Sequence, residues 1–158
     1  MSNALKVTAP EGLPFVDFER EFDAPVSAVF AAHRDPALVA KWMGPDGYET
    51  VMTEWDFRSG GAWNYVQRDP GTGGEYAFRG TFHTVRENEF AIQTFEFLGF
   101  PDVVSIESMR FEDLGNGRTR LSGHAVYPTL EARDGMVASG METGMSEGYD
   151  RLEALVTA

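Results

Sequence analysis

Apolar and polar residues alternate from Phe15 to Phe22. Val16, Phe18 and Phe22 fall on one side, with Asp17, Glu19 and Glu21 on the other, the two-residue period of a strand. Asp23-Ala24-Pro25 stops that strand and opens a helix with Pro25 in its first turn, where no donor is wasted. Val26, Val29, Phe30 and His33 then recur at helical spacing. Asp35-Pro36 restarts a short helix, Asp35 as N-cap, and Gly44-Pro45 ends it. Alternation returns from Tyr48 to Phe57, with Val51, Thr53, Trp55 and Phe57 sharing a face, and from Ala62 to Arg68, with Trp63 and Tyr65. It continues from Glu75 to Arg86, with Tyr76, Phe78 and Phe82 together. The stretch Glu89 to Leu98 is apolar on both faces and reads as a central strand. Val103–Glu112 and Arg118–Tyr127 flank an Asn116-Gly117 turn, a strong hairpin signal. From Thr129 to Ala158 the period changes again. Val137, Met141, Met145, Tyr149, Leu152 and Val156 step by three and four, which predicts one long amphipathic helix.

The predicted order is one strand, two helices, six strands and a long helix. Short turns between strands make an antiparallel sheet. The expectation is an α+β architecture: a curved sheet of about seven strands whose concave side is closed by the C-terminal helix. Residues 1–14, with Pro10, Gly12 and Pro14 and no periodicity, read as a loose arm. Residues 15–158 read as a single domain without internal repeats.

Composition narrows the partners. The formal net charge of −12 argues against nucleic acid and against an anionic membrane surface. Cysteine is absent, which removes disulfides, thiolate nucleophiles and cysteine metal sites. No apolar run approaches a membrane span, and no signal-peptide pattern opens the chain. A cytoplasmic protein is the default expectation, with no cofactor and no metal site predicted. A homodimer is left open.

Several stretches resemble a known family in their order and spacing: Asp23-Ala24-Pro25 with Val29-Phe30, Lys41-Trp42-Met43-Gly44-Pro45, Phe57-Arg58-Ser59-Gly60-Gly61-Ala62-Trp63, Phe78-Arg79-Gly80-Thr81-Phe82, Ser139 to Met145, and Tyr149-Asp150-Arg151-Leu152. Together, across about Phe15 to Val156, they are similar to the START-like (SRPBCC) superfamily. Within it they resemble the homologues of the activator of heat-shock-protein-90 ATPase. The resemblance implies the helix-grip fold. Relatives include lipid binders, aromatic polyketide cyclases and co-chaperone domains, so it implies fold more than function. It supplies no shared catalytic set, and none is carried over.

The candidate chemistry is a pocket. Gly140, Gly144 and Gly148 line up four apart in the final helix, each costing about 1 kcal/mol against alanine. Such an edge suggests close backbone approach, to the sheet or to a ligand, although packing alone also accounts for it. The expected ligand-binding residues are Trp42, Trp55, Trp63, Tyr65 and Phe78, with Met141, Met145 and Tyr149 from the helix and His124 as the best polar group. His33 reads as a core histidine and His83 as solvent-facing. Glu107 and Glu142 read as solvated carboxylates, though one held in an apolar cavity could exchange protons. The leading reading is a binding module for a small apolar or aromatic molecule. The alternatives are a cyclase- or hydratase-like enzyme, which needs at least two polar side chains converging in the cavity, and an acidic protein-interaction domain of the co-chaperone kind.

Overall fold

The structure is a computed structural model and describes residues 3–158. Its strands are β1 (Lys6–Thr8), β2 (Phe15–Phe22), β3 (Glu49–Trp55), β4 (Ala62–Arg68), β5 (Glu75–Arg86), β6 (Phe90–Phe97), β7 (Val104–Gly115) and β8 (Arg118–Val126). Its helices are α1 (Val26–Arg34), α2 (Pro36–Trp42), α3 (Leu130–Ala138) and α4 (Met141–Thr157). All eight strands form one antiparallel sheet in the order β1-β2-β8-β7-β6-β5-β4-β3. β6 lies inside the sheet, as its two apolar faces predict.

The α+β helix-grip fold holds, with eight strands rather than about seven. The extra one is β1. Lys6 to Thr8, inside the stretch expected to be a loose arm, pairs with Glu19 to Asp17 at the sheet edge. Three residues are too few for alternation to show in sequence. Residues 1 and 2 of that arm lie outside the described residues.

Strand parity sorts the two faces. Val16, Phe22, Trp63, Tyr65, Phe82, Ala91, Phe111 and Leu121 are buried on the inner face, where α1, α2 and α4 pack. Asp35 caps α2 as predicted, its carboxylate accepting from the Ala37 N–H at 2.9 Å. Pro25 occupies the N-cap of α1 rather than its first turn. In β3 a bulge between Met52 and Glu54 changes the parity. Met52, Trp55 and Phe57 therefore join the core, while Val51 and Thr53, expected beside Trp55, are exposed.

The predicted single C-terminal helix is two. Gly140, at φ 88°, breaks it by capping α4 in the left-handed conformation that only glycine adopts without strain. The break shifts the helical phase, so Val137 leaves the apolar stripe and is exposed. α3 is held instead by the buried Arg133, whose Nη1 donates to the Pro10 and Phe15 carbonyls at 2.7 and 3.2 Å. α4 carries the grip: Gly148, Tyr149 and Leu152 are buried in it. Arg20, on the inner face of β2 and 2% exposed, ties the helix down through Asp150 and Glu153 at 3.0 and 3.3 Å.

Candidate ligand-binding cavity

A cavity of about 370 Å³ lies between α4 and the inner face of the sheet. Its floor is aromatic. Trp63 and Tyr65 on β4 stack at 5.2 Å with 21° between planes, and Phe78 on β5 stands 5.2 Å from Tyr65. Two strand glycines give these rings room. A Cβ at Gly80 would come within 2.5 Å of Trp63 Nε1, and one at Gly123 within 1.8 Å of the Phe18 ring. A lone glycine inside an alternating run signals such a close approach, but it does not say which ring covers it.

The upper wall comes from the helices. Trp42, at the end of α2, stacks on Tyr149 of α4 at 5.7 Å and 24°, its Nε1 fixed by the Ala32 carbonyl at 3.0 Å. Trp55 closes one end and donates to the His33 carbonyl at 2.8 Å. Met141 and Met145 line the α4 side, and Met136 and Gly140 bound the cavity where α3 and α4 join. The close approach suggested by the aligned glycines is to the loop after α2, not to the sheet. A Cβ at Gly148 would meet the Trp42 carbonyl at 3.0 Å, and one at Gly144 would touch Pro45 at 3.5 Å. Arg151 fastens the same loop through the Trp42 and Gly44 carbonyls and Asp46, and Glu147 accepts from the Asp46 N–H at 3.0 Å.

All nine residues singled out in the sequence bound this cavity, but His124 does so through its strand. Its neighbours Gly123 and Ala125 point inward, while its imidazole lies on the outer face, paired with Asp17 and 4.9 Å from the Phe15 ring. Among the described residues the one acidic or basic side chain facing the cavity is Glu107. The expectation of a solvated carboxylate fails here, because Glu107 shares its strand face with the buried Ser105 and Phe111. Glu142 is exposed, as expected. Gln93 Nε2 donates to Glu107 Oε1 at 3.1 Å, and among the described residues Oε2 has no protein partner. Burial pushes the Glu107 carboxyl up to about 7, and the Gln93 bond holds it back only in part. Tyr65, Tyr127 and Tyr149 are raised well above the usual phenol range, first by burial and then by the Glu107 charge.

His33 is buried, as its place on the α1 stripe predicts. Its Nδ1 donates to the Val29 carbonyl at 2.8 Å, which leaves Nε2 an acceptor with no partner. Desolvation lowers its pKa to about 4, so the ring is neutral at ordinary pH. His83 is exposed, as expected. Among the described residues no group of three His, Cys, Asp or Glu side chains could hold a metal ion, and no helix is long and apolar enough to cross a membrane.

The sequence model of the family described as Activator of Hsp90 ATPase homolog 1-like protein matches residues 23–157. Solved structures share the fold over nearly the whole chain. A Mycobacterium smegmatis protein superposes with a TM-score of 0.86 at 26% identity, covering 97% of this chain and 96% of its own. One from Rhodobacter sphaeroides gives 0.85 at 24% identity, covering 97% of each chain. A solution structure from Arthrobacter aurescens gives 0.86 at 24% identity over 96% of this chain and 91% of that one. No curated protein sequence matches.

Proposed function

The chain belongs to the Activator of Hsp90 ATPase homolog 1-like family, and from that premise we propose that it binds a small apolar or aromatic molecule between the curved sheet and α4. The observation that carries this reading is the cavity of about 370 Å³, within the usual range for small-molecule sites and walled mainly by carbon. Trp42, Trp55, Trp63, Tyr65, Phe78, Met141, Met145 and Tyr149 supply its contact surface. The strand carrying His124 closes one side. Stacked rings bind flat molecules with little loss of side-chain freedom, because their own packing already fixes them.

All three tryptophans of the chain bound the cavity, so their emission reports on its contents. Titration with phenylbutanol is expected to change that emission saturably, with one molecule per chain. A linear, unsaturable change would remove the binding reading.

A second reading is an enzyme of the cyclase or hydratase kind. Glu107 favours it, since a carboxyl titrating near neutrality can both take and give a proton. The tyrosines around it could orient a carbonyl or hydroxyl group.

A further inference from the structure

Resting on that binding reading, we propose that the natural occupant is an apolar or aromatic amine whose protonated nitrogen sits against the free oxygen of Glu107. The lining holds the Glu107 carboxyl and no Lys or Arg side chain among the described residues. Glu107 Oε1 takes the Gln93 amide, while Oε2 has no partner among the described residues. A buried acceptor without a donor is costly, and a ligand that brings donors relieves that cost.

Charge selects among donors. An alcohol could satisfy Oε2 but would leave the carboxylate charge uncompensated. A carboxylate ligand would face like charge. An ammonium group both donates and neutralises. Its field is also favoured by the stacked faces of Trp42 on Tyr149 and of Trp63 on Tyr65. The net charge of −12 draws a cation toward the molecule before it enters.

Glu107 is the cavity-facing group that changes charge near neutrality. Tyr65 of β4, Tyr127 after β8 and Tyr149 of α4 stay protonated, and His33 of α1 stays neutral down to about pH 4. Arg20 of β2, near Tyr149, is taken up by Asp150 and Glu153. Arg133 of α3, near Tyr127, is taken up by Asp134 and by backbone carbonyls. His124 faces the other side of the sheet with Asp17.

The test is calorimetric titration of phenylbutylamine and phenylbutanol, which differ only in the terminal group, into the wild type and into Glu107→Gln. At about pH 8 the amine is expected to bind the wild type roughly 10- to 100-fold more tightly than the alcohol, the strength of a charge-assisted bond. Glu107→Gln should remove most of that preference and affect the alcohol far less. In the wild type, amine affinity should rise between about pH 6 and pH 8 as Glu107 loses its proton, which tests the inference even if the variant folds poorly. Equal affinity for the two probes, or an amine affinity flat over that range, overturns the amine inference and leaves the cavity reading standing. Saturable binding of neither probe overturns both.

Discussion

A carboxyl group walled by carbon keeps its proton longer than one in water, and Glu107 carries that difference into stability. Its folded-state pKa is about 7 against an ordinary 4.5, so the native state holds the proton more tightly than the unfolded chain. Stability therefore falls as pH rises from about 4.5 to about 7, and the loss is complete above that. Glu107→Gln carries no charge to desolvate. Its stability relative to the wild type should increase by about 1–3 kcal/mol between pH 4.5 and pH 8, the range allowing for water that enters the cavity. Denaturant melts at both pH values check this, and an unchanged difference would mean that Glu107 is solvated. Sequence alone does not identify this residue. Glu107 stands in an alternating strand with Glu112 and Asp113 close by, and alternation does not say which parity faces inward.

At the scale of elements, the joint between α4 and the loop after α2 shapes the cavity mouth. The two glycines there should answer alanine substitution with opposite signs. Gly144 has only ordinary contact with Pro45, so Gly144→Ala should gain helix propensity, about 0.5–1 kcal/mol. Gly148 faces the Trp42 carbonyl, a backbone atom that the Arg151 guanidinium holds in place. Gly148→Ala should therefore cost about 1 kcal/mol or more despite its better propensity. Thermal melts of the two variants decide the matter, and stabilisation by both would show that the contact is loose. Most elements were legible in the pattern of residues. The bounds of β2, β4 and β5 are those of the alternating runs, although β5 shifts register between Phe82 and Thr84, and Asp35-Pro36 marked the start of α2. Three features were not legible. β1 is too short to show a period. The β3 bulge adds a residue that alternation cannot register. The break at Gly140 interrupts a run whose apolar spacing is continuous, and only the backbone reveals it.

For the whole molecule, the aromatic content that suggested a pocket is divided between core and cavity. Phe22, Phe30, Phe82 and Phe111 fill the space under α1, while the tryptophans with Tyr65, Tyr127 and Tyr149 bound the void beneath α4. The sequence could name the rings but not the side of the sheet on which they meet. For that reason it chose His124, a strand residue whose imidazole turns outward, over Glu107. The measurement that reaches the central claim most directly is native mass spectrometry of the chain after incubation with phenylbutanol, beside a Met145→Trp variant that fills the cavity from α4. The account predicts one added phenylbutanol per wild-type chain and none on the variant. Bare wild-type chain, or equal uptake by both proteins, would contradict a ligand site between the sheet and α4.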